Sequence, residues 1–86
     1  GCSQCHTPPY GTDLKSYDVG TATDERKDLD TPALTEIWRT APYLHDGRAA
    51  TIMEVLTKFN KGDLHGKTSD LSQDQLKDLA AYVLSY

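Results

Sequence analysis

The chain has 86 residues, 9 Lys and Arg against 13 Asp and Glu, a formal net charge of -4 at pH 7 and a hydrophobic fraction of 37%. These figures describe one small, mildly acidic domain, residues 1–86, and exclude the basic stripe that nucleic-acid binding requires. The longest apolar run, residues 79–84, is far too short to span a membrane. A domain of this size buries a limited core and commonly needs a staple.

The first element supplies one. Cys2-Ser3-Gln4-Cys5-His6 has the C-x-x-C-H spacing of covalent c-type haem attachment. Each thiol can add across one haem vinyl group, and the adjacent imidazole reaches the iron from the proximal side. Other uses of two cysteines fit less well. A redox dithiol needs a βαβ frame, which the pattern does not suggest. A zinc site commonly draws on a second Cys or His pair. There is no third cysteine, and His45 and His65 stand far apart in the sequence. A Cys2–Cys5 disulfide would close a very short loop and stabilise little. One haem c, held through Cys2 and Cys5, is the expected cofactor. Such attachment normally takes place outside the cytoplasmic membrane, so the expected location is periplasmic or extracellular. The chain opens on Gly1 without a visible signal peptide, which reads as a mature or clipped product.

Pro8-Pro9 should stop any helix that begins at the motif. Residues 10–33 read as irregular, rich in Gly, Thr, Asp and Tyr, and long enough to wrap a haem edge. Within them Asp24, Glu25, Asp28 and Asp30, interrupted by Arg26 and Lys27, read as a solvated acidic loop. Thr31-Pro32 predicts a helix start, with Leu34, Ile37 and Trp38 on one face. Residues 40–47 form a turn-rich segment. Thr51-Ile52-Met53-Glu54 fits a capping box, followed by an Ile52, Val55, Leu56, Phe59 core stripe. Residues 60–70 form a second loop. Ser72-Gln73-Asp74-Gln75 fits another capping box, with Leu71 and Leu76 as its staple. Leu76, Leu79, Ala80 and Val83 face the core from the terminal helix. No strand is predicted, so the expected fold is all-α.

With His6 as the proximal ligand, its second ring nitrogen should donate to a backbone carbonyl near Pro8-Pro9. Several residues compete for the distal position. His65 lies in the loop before the terminal helix, where small class I cytochromes commonly place this ligand. Gly66 beside it permits close backbone approach. Met53, the single methionine, is the alternative, but points away from the centre of its helix stripe. His45 suits a hydrogen bond within its Asp46-Gly47 turn or to a haem propionate. Arg39 and Arg48 suit propionate recognition, and Trp38 suits packing against the haem or core. Tyr43, within the same segment, is also expected to bind the cofactor.

These residues resemble the C-terminal haem domain of the bacterial di-haem cytochrome c peroxidase family. The resemblance covers nearly the whole chain. It runs through Cys2-x-x-Cys5-His6, Val19-Gly20-Thr21, Thr31-Pro32-Ala33-Leu34 and residues 38–48, and on through Thr51 and Val55 to residues 79–85. Its most specific part is Thr40-Ala41-Pro42-Tyr43-x-His45-x-Gly47. The resemblance implies a small class I-like cytochrome c fold and an electron-entry domain with histidine–methionine ligation. In that family, peroxide reduction belongs to the other haem domain. Two departures stand out. Only one C-x-x-C-H is present, and the position of the ligating methionine corresponds to Phe59. The second departure strengthens His65.

The usual helix before the C-x-x-C-H is missing, which would leave Tyr82, Val83 and Tyr86 uncovered on the terminal helix. Self-association or a longer parent chain is expected there. The expected function is electron transfer by one six-coordinate haem, bis-histidine through His6 and His65, serving redox partner proteins without being an enzyme. The alternatives are an open-site haem enzyme or gas sensor, and an electron-conducting module of a larger assembly.

Overall fold

The computed structural model describes residues 1–22, 25 and 27–86. Strands β1 (Ser16–Tyr17) and β2 (Leu29–Asp30) pair antiparallel, with Ser16 opposite Asp30 and Tyr17 opposite Leu29. Two α-helices follow, α1 (Ile52–Leu56) and α2 (Gln73–Leu84). Single 3₁₀ turns form at Cys2–Gln4, Ile37–Arg39 and Lys61–Asp63.

The expectation of an all-α chain is therefore corrected: helices dominate the core, but a small ladder lies between the first turn and α1. The helix expected from Thr31-Pro32 does not form either. Its backbone is engaged elsewhere. Thr31 N–H donates to the Lys15 carbonyl at 2.8 Å, and Leu34 N–H donates to Tyr10 at 3.1 Å. The Thr12 hydroxyl donates to the Thr31 carbonyl at 2.7 Å. Residues 31–34 thus run alongside residues 10–15, and helical structure is confined to the short turn at Ile37–Arg39. Asp24 and Arg26 of the acidic run lie outside the described residues, while Glu25, Lys27, Asp28 and Asp30 are exposed.

The two α-helices begin where their capping residues stand. Ser72 Oγ accepts from Gln75 N–H at 3.2 Å, and Gln75 Oε1 accepts from Ser72 N–H at 2.9 Å, a reciprocal capping box. At α1, Thr51 Oγ1 accepts from Glu54 N–H at 3.2 Å. The Glu54 carboxylate overshoots the N-cap and accepts from Ala50 N–H at 2.9 Å. The α1 helix ends before Phe59. There the Thr57 hydroxyl takes the Met53 carbonyl at 2.7 Å, and Phe59 N–H reaches back five residues to Glu54 at 3.0 Å.

Helices α1 and α2 pack on each other, and the Ile37–Arg39 turn packs on α2. The core consists of Tyr43, Ala49, Ile52, Leu56, Leu76 and Ala80. Tyr43 and Ala49 exchange backbone hydrogen bonds of 2.7 and 3.3 Å, closing the 44–48 turn. This core is thin. Among the described residues no large side chain is fully buried.

Candidate haem site

The C-x-x-C-H segment is a single tight turn. Cys5 N–H and His6 N–H both donate to the Cys2 carbonyl, at 3.2 and 2.9 Å. Cys2 and Cys5 are free, half-buried thiols. The turn presents two sulfurs and one imidazole from one short stretch. His6 Nδ1 lies 2.9 Å from the Gly11 carbonyl. That contact is the expected backbone anchor, placed two residues beyond the prolines. A donating Nδ1 leaves Nε2 as the nitrogen with a free lone pair. Gly11 holds a positive φ of 75°, and a Cβ there would stand 2.7 Å from Leu34 Cβ and 2.9 Å from Leu34 N. Only glycine fits where the anchor must lie.

The second loop brings His65 to the same place. The ring centroids of His6 and His65 are 6.4 Å apart, with the planes tilted by 40°. Two imidazoles bound to opposite sides of one metal ion have centroids about 6–6.5 Å apart, allowing about 2.0–2.1 Å per metal–nitrogen bond and roughly 1.1 Å from nitrogen to ring centre. The observed spacing fits that span. Gly66, at φ 88°, lies against the attachment turn, with Cys2 Sγ 3.6 Å from the position of a Cβ. Burial, and then the nearby His6, hold the His65 imidazole below its ordinary pKa. The neutral ring is the form that ligates. His65 Nδ1 is buried and has no hydrogen-bond partner among the described residues.

The His65 loop is clamped from within. Asn60 Oδ1 accepts from His65 N–H at 2.9 Å, and Asn60 Nδ2 donates to the Gly66 carbonyl at 2.8 Å and to Thr68 Oγ1 at 2.9 Å. The Thr68 hydroxyl donates to the Leu56 carbonyl of α1 at 3.0 Å. Asp63 accepts from Thr68 N–H and Ser69 N–H, both at 3.1 Å, and from the Ser69 hydroxyl at 2.6 Å. These contacts, the Ser69 hydroxyl first, hold the Asp63 carboxyl below its ordinary range. Sequence reasoning missed Asn60, Asp63 and Thr68. The available signal was Asn and Asp in a glycine-containing loop, where such side chains often bond the backbone.

Next to the attachment turn, the Tyr17 hydroxyl donates to Asp13 Oδ2 at 2.6 Å. That bond, with burial and the Cys5 thiol adding to it, pushes the Tyr17 phenol up to about 12.

The other residues expected at the site take the following positions. Trp38 is 57% exposed, so it does not pack into the core. Arg39 pairs with Glu36 at 2.9 Å on the surface. Tyr43 is buried in the protein's own core, its hydroxyl on the Ile37 carbonyl at 3.0 Å. Met53 is half-buried against the same core cluster. His45 is exposed in its turn. Arg48 is held by Asp46 at 3.3 Å and by the Thr21 carbonyl, with its guanidinium 5.3 Å from the Phe59 ring centre. It lines a surface cleft of about 310 Å³ together with Gly20, Lys58, Phe59 and Lys61. Among the described residues no three His, Cys, Asp or Glu side chains gather as a direct metal site. The arrangement of Cys2, Cys5, His6 and His65 therefore suits a macrocycle lying between the histidines better than a bare ion.

Residues 30–63 match the family model described as RoxA-like, cytochrome c-like. The chain is 40% identical over 76 residues to hydrazine synthase subunit gamma of Kuenenia stuttgartiensis, covering 87% of this chain and 21% of that subunit. It is 40% identical over 60 residues to the cytochrome-c peroxidase IdrP1 of Denitromonas iodatirespirans, covering 62% of this chain and 16% of the peroxidase. The solved structure of Kuenenia stuttgartiensis hydrazine synthase under 20 bar xenon superposes with a TM-score of 0.90 at 26% identity, over 100% of this chain and 41% of that one.

The chain is a cytochrome c-like domain, and its relatives are consistent with a c-type haem domain of the peroxidase family. It adopts the small cytochrome c fold, and that family implies covalently bound haem c.

This cytochrome domain spans between about a sixth and a fifth of the curated relatives above. The expectation that it is no enzyme is overturned by them: one is a subunit of a synthase and the other a peroxidase. The domain corresponds to a haem-bearing part of such enzymes. No helix of the described residues is long and apolar enough to cross a membrane.

Proposed function

We propose that the chain is the electron-transferring haem domain of a larger exported redox enzyme. Cys2 and Cys5 would tether one haem c, and His6 and His65 would hold its iron. The observation that carries this reading is the 6.4 Å approach of the two imidazoles, one from the attachment turn and one from the loop before α2. When bound, the cofactor supplies reversible one-electron exchange between ferric and ferrous iron. The residues of the chain do the rest. The Gly11 carbonyl fixes the His6 tautomer and ring plane. Burial keeps the His65 ring neutral. With both imidazoles holding the iron, the group would supply electron transfer to the enzyme that contains the domain.

Met53 is the weaker ligand because its side chain packs on the core formed by α1 and α2. The cationic cleft of Arg48, Lys58 and Lys61 suits carboxylates, the haem propionates among them. The proposed location is the periplasm or cell exterior, and the proposed partners are other redox centres of the same assembly.

Replacing His65 with alanine tests the reading. The haem-loaded variant should turn from low-spin to high-spin in the ferric state. An unchanged low-spin spectrum would contradict it.

A further inference from the structure

The two facing histidines are held in different ways. His6 is anchored through its ring, at Nδ1, by the Gly11 carbonyl 2.9 Å away. Among the described residues His65 has no such anchor, and its Nδ1 is buried there without a partner. Rotation of an imidazole about its last torsion is broad, so an unanchored ring takes its aim from the backbone that carries it and from its packing. That backbone is fixed by one side chain. Asn60 binds the His65 N–H at 2.9 Å and the Gly66 carbonyl at 2.8 Å, on both sides of the residue it positions. Asn60 is only 7% exposed and Thr68, which receives its remaining donor, only 6%. Thr68 in turn is bonded to the last residue of α1. The chain of contacts runs from the helical core to the His65 backbone without reaching the ring.

We propose that Asn60 is the positioning residue of the distal ligand, holding His65 over the iron through its main chain, and that His65 is consequently the ligand that exchanges. This rests on the reading of His65 as a ligand. A ligating histidine with a ring anchor is oriented and made more basic by it. His6 has that support and His65 lacks it, so an incoming diatomic ligand displaces His65 and leaves His6 in place. The ease of displacement is set by Asn60.

The test uses the haem-loaded chain with two readouts: the high-spin fraction of the ferric spectrum and the rate of carbon monoxide binding to the reduced protein. Asn60→Ala removes the clamp. Asn60→Asp keeps the volume and the acceptor for His65 N–H but loses the donors to Gly66 and Thr68 and sets a carboxylate oxygen against the Gly66 carbonyl. Either should raise the carbon monoxide rate about 10- to 100-fold, the range typical for loss of a supporting contact to a metal ligand. Thr68→Val disturbs the same buried network without touching His65 or Gly66. It should lower the melting temperature with a much smaller change in rate.

The decisive comparison is a double-mutant cycle with His65→Ala. Asn60→Ala should accelerate binding when His65 is present and have no further effect when His65 is absent. An effect of equal size in both backgrounds would overturn the inference, as would Asn60 variants with unchanged spin state and rate. If His65→Ala alone left both readouts unchanged, the ligation reading itself would fall, and the role of Asn60 with it. A drop in melting temperature alone in the Asn60 variants would mark a purely structural contact and would also overturn it.

Discussion

The imidazoles of His6 and His65, 59 positions apart in the chain, face each other at 6.4 Å with a 40° tilt between their planes. A methionine at either end would change the chemistry of that pair. Thioether ligation raises the potential of a c-type haem relative to imidazole. His65→Met should therefore raise the reduction potential by on the order of 0.1 V, within the roughly 0.8 V range that axial ligands command. Protein-film voltammetry reads it. An unchanged potential would mean that His65 is not bound to the iron.

Gly11 joins the fold to the proximal ligand. Its carbonyl anchors His6, and its positive φ and tight approach to Leu34 leave no room for a Cβ. Gly11→Ala should lower unfolding stability by about 1–3 kcal/mol, from left-handed backbone strain together with overpacking. Chemical denaturation of the haem-loaded protein measures the loss. A variant as stable as the parent would show that the Leu34 contact relaxes at no cost.

The two thiols should behave as independent tethers. Cys2→Ser or Cys5→Ser alone should leave the haem attached by one bond. The double variant should release it into acidified organic solvent. Mass spectrometry of the denatured protein distinguishes these states. Complete loss of haem from either single variant would show that one sulfur alone carries the attachment.

The Asp13–Tyr17 pair predicts a pH signature. The hydrogen bond raises the Tyr17 phenol from 10.0 to about 12 and lowers the Asp13 carboxyl below 3.8. For Tyr17 the folded-state value lies above the unfolded one. Its contribution to stability is therefore complete below pH 10 and is lost as the pH rises toward 12. For Asp13 the sign reverses, and the contribution is present above pH 3.8 and lost as the pH falls through the lowered value. Asp13→Asn should return one tyrosine to titration near 10.0, read by tyrosinate absorbance. A titration curve identical to that of the parent would remove Asp13 as the cause.

What could be read from the sequence was local. Cys2, Cys5 and His6 lie within one turn, so their spacing alone carries the chemistry. Ser72 and Gln75 form their capping box because both partners sit within four residues. Ile52 and Leu56 are buried as the helical stripe requires. What failed depended on distant partners. Thr31 carries a sound helix-start signal, yet its N–H is taken by Lys15 across the ladder. Strands of two residues leave no alternation to detect. Trp38 looked suited to the core by residue type, but the turn at Ile37–Arg39 leaves it at the surface. The Asn60 clamp joins three segments through buried side-chain contacts, which no periodicity records. His65 stood between these cases. Its position before the terminal helix was legible, whereas its approach to His6 emerged only from the fold.

The most direct test of the account is the electron paramagnetic resonance spectrum of the ferric, haem-loaded chain, taken together with its far-red absorption. The account predicts a low-spin signal without a sulfur-to-iron charge-transfer band, as two imidazoles require. A high-spin signal would mean an open iron site, and a sulfur band would mean a thioether ligand. Either would contradict ligation by His6 and His65.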